Sequence, residues 1–84
     1  MQVIMYTRAG CHLCETAWDR LRTRQQRHGF TLEAIDVDTE PDLVAQFGNE
    51  VPVVSVNGMV RFRGHVNEAL LDRLLHAEAE RSGN

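Results

Sequence analysis

The sequence contains only two cysteines, Cys11 and Cys14, and no lysine. A closed zinc site needs four ligands, usually two cysteine pairs or one cysteine pair with a histidine pair. A second cysteine pair is absent here, and His12, His28 and His76 lack the spacing of a histidine pair. We therefore predict no metal site within a single chain. A metal or iron–sulfur centre shared between two chains stays open as an alternative.

Long hydrophobic runs and an excess of positive charge are also absent. No apolar segment approaches the roughly 20 residues of a membrane helix, and the first ten residues are too few and too polar for a signal peptide. The net charge of −3 creates no field that attracts nucleic acid or an anionic membrane. We predict a cytoplasmic protein with neither nucleic acid nor a membrane as partner. A cluster of arginines is interpreted as a solvated helix face: Arg20, Arg22, Arg24 and Arg27.

The 84 residues, 43% hydrophobic and 25% charged, suit one globular domain spanning residues 1–84. A chain of this length can fold without a disulfide bond. A bridge between Cys11 and Cys14 would close a very short loop and would stabilise the fold little. In a reducing cytosol, a close cysteine pair is more often catalytic or metal-binding than structural.

Hydrophobic periodicity predicts seven helices and strands. A short apolar run ends at Thr7, helical spacing then begins at Cys11, and Gly29 ends that helix. Asn57 and Gly58 form the strongest signal for a two-residue type I′ hairpin turn. The predicted residue ranges are 3–6 (β1), 11–28 (α1), 31–37 (β2), 39–47 (α2), 53–56 (β3), 59–62 (β4) and 67–81 (α3).

The order β1-α1-β2-α2-β3-β4-α3 predicts an α/β fold. The β1-α1-β2 unit requires two parallel strands joined by a right-handed crossover. Together with the hairpin and the closing helix, it gives a four-stranded mixed sheet with helices on both faces. Thr39 and Asn67 are predicted N-caps of α2 and α3, and the tail from Ser82 to Asn84 is predicted to fray. The buried stripe of α3 is predicted at Val66, Leu70, Leu74 and Ala77, with Leu71 and Leu75 beside it.

Both cysteines fall at the junction between β1 and α1. The amides and the dipole of a helix N-terminus stabilise a thiolate, which is the reactive form of cysteine. At spacing i, i+3 the two sulfurs can lie within bonding reach. Cys11, nearer the helix end, is therefore the predicted nucleophile, and Cys14 is the predicted resolving thiol. Such a pair on a βαβ unit is typical of a thioredoxin-like redox motif.

The stretch MYTRAGCHLCE, the pair Val51-Pro52 and the later Gly64 resemble the glutaredoxins, small thioredoxin-fold proteins, over nearly the whole chain. The CHLC centre is similar to that of short bacterial glutaredoxin-like proteins. The resemblance implies a cis peptide bond before Pro52 and a glycine turn at Gly64 that completes a glutathione groove. Arg8 stands where glutaredoxins commonly carry lysine, and its guanidinium can hold a carboxylate.

Gly10 and two histidines complete the predicted groove. A protonated His12 beside Cys11 would favour the thiolate, but a residue next to it at a helix start usually points away. His65 would lie across the groove near Pro52, and its alternative is a surface turn residue. The dipeptide His-Leu replaces the usual Pro-Tyr of the family, and the turn FRGHVNEAL has one glycine instead of two.

These observations predict a monomeric thiol–disulfide oxidoreductase with no bound cofactor, acting on protein or glutathione mixed disulfides. Glutathione or a thioredoxin-type protein is the expected electron donor, and glutathione is a possible co-substrate. The backbone of Val51 is expected to pair with an extended substrate. Two alternatives are a non-catalytic binding module and an iron–sulfur carrier, in which Cys11 of two chains and two glutathiones share a cluster.

Overall fold

Within residues 1–82, the part of the chain that the computed structural model describes, the helices and strands follow the predicted order. Ser82, predicted as the start of a frayed tail, is the last residue of the final helix, and the rest of that predicted tail lies outside the described residues. None of the helices in this range has both the length and the hydrophobicity needed to cross a membrane. The elements are β1 Gln2–Thr7, α1 His12–His28, β2 Thr31–Asp36, α2 Pro41–Phe47, β3 Val53–Val56, β4 Met59–Arg63 and α3 Glu68–Ser82.

The strands form one mixed sheet in the spatial order β2-β1-β3-β4. β1 runs parallel to β2, with Val3 opposite Leu32, and antiparallel to β3, with Val3 opposite Val56. Asn57 and Gly58 join β3 to β4 with positive φ angles of 51° and 84°, as a type I′ turn requires. The predicted mixed sheet and its hairpin are confirmed.

The two faces of the sheet carry separate hydrophobic clusters, because side chains alternate along each strand. On one face, Met5 and Val54 belong to a cluster with buried residues of α1 and α3. On the other face, Val53 packs with Phe47 of α2. Helices therefore cover both faces, as predicted. Cys14 is part of the first cluster, so the cysteine pair is anchored in the core.

The connection from β2 to α2 differs from the prediction. β2 ends at Asp36, whose carboxylate accepts a hydrogen bond from the Asp38 amide at 2.9 Å and begins a single 3₁₀ turn, Val37–Thr39. Thr39 lies in that turn and donates its hydroxyl to the Asp36 carbonyl. α2 begins two residues later, at Pro41. The prediction of Thr39 as N-cap is wrong, because the Asp36 side chain offers the backbone a competing local hydrogen bond.

The buried stripe of α3 differs in part from the prediction: Val66 is buried and Leu74 packs against the core, as predicted, but two other positions differ. Leu71 and Leu75 are fully buried, whereas Leu70 is 53% exposed; Ala77 is exposed as well. The predicted phase was counted from Val66, which precedes the helix. Asn67 is the N-cap, as predicted, since its Oδ1 accepts the amide of Leu70 at 3.0 Å. Because Val66 lies before the N-cap, its position does not fix the helical phase.

Two of the clustered arginines join α1 to α3. Arg24, with a side chain only 11% exposed, donates from Nε to Asp72 and from Nη2 to Glu68, each at 2.9 Å. Arg20 donates to the carbonyl of Val66 at 2.7 Å and lies 3.6 Å from Glu68. The interpretation as a solvated helix face is therefore wrong for these two residues. Ion pairs between the helices orient α3 against the helix that begins at the cysteines.

We expect Arg24→Gln to lower the free energy of unfolding by about 1 kcal/mol at neutral pH, because it breaks a partly buried charge network. The hydrogen bond from Arg24 holds the pKa of Asp72 below its ordinary 3.8. A lowered pKa in the folded state gives stability that is complete above 3.8 and is lost as the pH falls through the lower, folded value. Urea unfolding between neutral pH and about pH 2 measures both effects.

Arg22→Gln is the matched control for Arg24→Gln, because Arg22 lies exposed on the same helix. It should leave the unfolding free energy and its decline in acid nearly unchanged. Equal losses for the two variants would contradict the role of the ion pairs, since the effect would then come from net charge alone.

Candidate functional site

The loop after β1 delivers the cysteines to the start of α1. Gly10 adopts a φ of +76°, a left-handed backbone conformation that residues other than glycine rarely adopt. Cys11 follows in an extended conformation as the N-cap of α1. Cys11 and Cys14 form a disulfide, with Cα atoms 5.2 Å apart. The chain thus turns from strand to helix where the predicted redox pair lies.

The sulfur of Cys11 occupies the position of a helix-capping group. The backbone amide of Cys14 donates to Cys11 Sγ at 3.1 Å, the hydrogen bond that a side-chain N-cap accepts from the third helical residue. The donor is one of the amides left unpaired by the helix itself. A negative charge on this sulfur would therefore meet an aligned N–H group and the positive end of the helix dipole.

The two cysteines differ sharply in accessibility. Cys14 is 2% exposed and packs in the hydrophobic core. Cys11 is half-buried, so part of its surface is open to solvent. Only Cys11 can be approached by a bulky reactant without movement of the core.

A cavity of about 340 Å³ lies beside the disulfide. It brings together four predicted site residues: Arg8, Gly10, Cys11 and Cys14. Its other walls include Met5, Trp18 and Ala34. Trp18 packs against the core and also forms part of this wall.

Arg8 is held by two parts of its own chain. Its Nε and Nη2 donate to the two carboxylate oxygens of Asp38 at 3.0 and 2.7 Å, and Nη1 donates to the carbonyl of Gly48 at 3.0 Å. The hydrogen bond from Arg8 holds the pKa of Asp38 below its ordinary value, and the same bond raises the pKa of Arg8. The carboxylate beside Arg8 in this structure thus comes from the protein itself.

The other side of the predicted substrate groove consists of Val51, Pro52 and Gly64. The Val51–Pro52 peptide bond is cis, and the carbonyl of Pro52 accepts the amide of Gly64 at 2.8 Å. Gly64 has a φ of +77°, which explains a glycine at this turn. Val51 is half-buried and packs against the cluster that contains Cys14. These residues do not line the 340 Å³ cavity.

The two predicted histidines lie apart. His12 is almost fully exposed, and its Nδ1 lies 3.2 Å from a carboxylate oxygen of Glu15. His65 lines a smaller recess of about 140 Å³ with Leu13 and Val66. Leu13, the exposed residue between the cysteines, and Asp38 were not identified from the sequence. The predicted parallel pairing of β1 and β2 offered the signal for Asp38, because it brings the end of β2 beside Arg8.

Comparison with known proteins agrees with this geometry. A family model described as a Glutaredoxin-like domain (DUF836) matches residues 2–76. Uncharacterized protein Rv0508 of Mycobacterium tuberculosis is 36% identical over 72 residues, covering 80% of this chain and 74% of that protein. The solution structure of protein Ne2328 from Nitrosomonas europaea has a TM-score of 0.74 and 29% identity, with 87% of this chain and 88% of that chain covered.

A more distant structure shows the fold alone. Thioredoxin 1 from Thermosipho africanus has a TM-score of 0.72 at 21% identity, and the comparison covers 100% of both chains. The sheet order and the helix placement are thus those of a thioredoxin-like fold. The chain belongs to the glutaredoxin-like domain family. This membership, with the adjacent cysteine pair, supports a redox function.

Proposed function

We propose that the protein is a thiol–disulfide oxidoreductase in which Cys11 is the nucleophile and Cys14 the resolving thiol. The observation that carries this proposal is the unequal setting of the two sulfurs. Cys11 is partly exposed and accepts a helix amide, whereas Cys14 is buried beneath it. A thiolate needs stabilisation and access in order to attack a disulfide. Cys11 has both.

In the first step, the Cys11 thiolate attacks one sulfur of a substrate disulfide. The substrate S–S bond breaks, a new disulfide joins Cys11 to the substrate, and the leaving sulfur departs as a thiolate that takes up a proton. The bond count is unchanged, because one disulfide replaces another. The amide of Cys14 then no longer faces a negative sulfur, since the Cys11 charge has passed to the leaving group.

In the second step, Cys14 loses its proton and attacks Cys11 Sγ. The Cys11–Cys14 disulfide forms, the mixed disulfide breaks, and the second substrate sulfur leaves as a thiol. The substrate has gained two electrons from the protein and two protons, one released by Cys14 and one taken from the solvent. Two molecules of glutathione, or one dithiol protein of the thioredoxin type, return the pair to the reduced state. No bound cofactor takes part.

One half of the substrate disulfide is expected to lie along Val51, and the other half is expected to reach the cavity beside Arg8. Val51 precedes the cis peptide bond and packs on the core cluster of the cysteines. An extended polypeptide placed there can form main-chain hydrogen bonds in the manner of an added strand. We propose that the protein acts as a monomer in the cytoplasm, with disulfide-containing polypeptides as its substrates.

The proposal predicts selective alkylation of the reduced protein. At a pH where a free cysteine is still largely protonated, iodoacetamide should modify Cys11 rapidly, because alkylation requires a thiolate. Cys14 should react far more slowly, since it is buried. Mass spectrometry of peptides after short exposure measures both sites. Slow labelling at the rate of an ordinary cysteine, or prior labelling of Cys14, would contradict the proposed roles.

A further inference from the structure

Arg8 lines the cavity beside the cysteines, yet the positive charge of its guanidinium is already neutralised by an ion pair with Asp38. Three of its N–H groups are used by Asp38 and Gly48, out of the five that an arginine carries. The two bonds to Asp38 have the bidentate geometry that arginine uses to recognise a carboxylate. Asp38 therefore occupies the recognition edge that a carboxylate of a substrate would need.

Displacing Asp38 is unfavourable for a free ligand. Asp38 belongs to the same chain and is held by the 3₁₀ turn, so its binding to Arg8 costs no translational freedom. A second carboxylate brought to Arg8 would also face the negative charge of Asp38, and like charges repel at this distance. Because Arg8 lowers the pKa of Asp38, that charge persists at physiological pH.

The rest of the cavity offers an anion no substitute for Arg8. Among the described residues that line it, Arg8 alone carries a positive charge, and Glu15 adds a negative one. Met5, Trp18 and Ala34 make the remaining surface largely apolar. Such a surface favours an uncharged or apolar side chain and disfavours a small anionic thiol.

We infer that Asp38 is a specificity-determining residue: by occupying Arg8 it makes the site select uncharged polypeptide disulfides over disulfides of the anionic tripeptide glutathione. The inference rests on the proposed function, since it names the substrate class of the same site. Asp38 acts through Arg8 and touches no reacting sulfur, so it is a positioning residue. The chemical step for both substrates is the balanced exchange given above.

The test compares two substrates built on one uncharged peptide with a single cysteine. In one, the cysteine forms a disulfide with glutathione; in the other, with a second uncharged peptide. Pre-reduced protein is mixed with each in single turnovers, so that no external reductant is needed, and release of the peptide thiol is followed. We expect Asp38→Asn to raise the ratio of second-order rate constants, glutathione substrate over uncharged substrate, by about tenfold.

The gain should appear as tighter binding of the glutathione substrate, with the limiting rate unchanged. A freed Arg8 that merely made Cys11 more reactive would accelerate both substrates equally and leave the ratio constant. Asp38→Glu should restore the wild-type ratio, because it returns a carboxylate to Arg8. The double variant Arg8→Gln/Asp38→Asn should lose the gain. Asp42→Asn, the same chemical change at an exposed position in α2, should not alter the ratio.

Arg8→Gln alone provides a test that does not depend on how well the Asp38 variants fold. In an otherwise wild-type chain it should lower the ratio by less than about twofold, since the Arg8 charge is already paired and the Asp38 charge left behind is half-exposed and screened by solvent. A fall of about tenfold would mean that Arg8 binds glutathione in the wild-type protein, and would overturn the inference. An unchanged ratio in folded Asp38→Asn would overturn it as well. An inactive wild-type protein would instead overturn the proposed function itself.

Discussion

Replacing Cys11 by serine should abolish disulfide reduction, lowering the rate by at least about 10³-fold to the uncatalysed background. A serine hydroxyl can still accept the amide of Cys14, so the helix start should be kept. It cannot form a stable bond to sulfur, so no mixed disulfide arises. The measurement is thiol release from an uncharged peptide disulfide by pre-reduced protein, with circular dichroism to confirm that the variant is folded.

Cys14→Ser is the informative partner of that variant. It keeps the attacking sulfur and removes the resolving one, so the first step should proceed and the second should stop. One substrate half should then remain bound to Cys11 per chain, visible as a mass increase that a dithiol reverses. If both variants behave like the wild-type protein, the proposed mechanism is wrong. Thiol exchange by the wild-type protein at only the background rate would favour the binding-module alternative.

The topology was predictable because its signals are local. Asn57 and Gly58 both adopt positive φ, and the dipeptide alone favours the hairpin turn that requires it. The change from strand to helical periodicity between Thr7 and Cys11 placed the cysteines at a helix start without reference to any other part of the chain. With the hairpin located, the parallel unit before it left few alternatives for the sheet.

The errors in the fold arise where two local preferences compete or where a phase is counted from the wrong residue. Thr39 is a good N-cap by residue type. However, the Asp36 carboxylate accepts the Asp38 amide and begins a 3₁₀ turn that includes Thr39. The stripe of α3 was counted from Val66, outside the helix. Leucines at neighbouring positions made either phase compatible with periodicity.

The site was predictable only in part, for a different reason. Cys11 and Cys14 share one turn of helix, so spacing alone relates them. Arg8 and Asp38 are separated by 30 residues, and their contact depends on the register of β1 against β2. The sequence showed a cation beside the cysteines, and the predicted β1–β2 pairing brought the end of β2 near it. The observed register and the 3₁₀ turn were needed to identify Asp38 as its partner.

The second large effect concerns which face of α3 is buried. The adjacent leucines at positions 70 and 71 test this, because one is exposed and the other buried. Leu71→Ala should lower the free energy of unfolding by about 2 to 5 kcal/mol, because Leu71 is fully buried and its loss leaves a cavity. Domains of this size have a total stability of about 5 to 15 kcal/mol. The variant should therefore lose a large share of it, with a fall in Tm of more than about 8 °C.

Leu70→Ala removes the same atoms one position earlier, from a side chain that is mostly exposed. It should change the unfolding free energy by less than about 0.5 kcal/mol, since alanine also has a slightly better helix propensity. Urea unfolding of the two variants under identical conditions decides between the phases. If Leu70→Ala is the more damaging, the stripe that begins at Val66 is correct. In that case Leu71 would face solvent, and the ion pairs of Arg24 with Glu68 and Asp72 could not form as described, because all of them depend on the same rotation of α3.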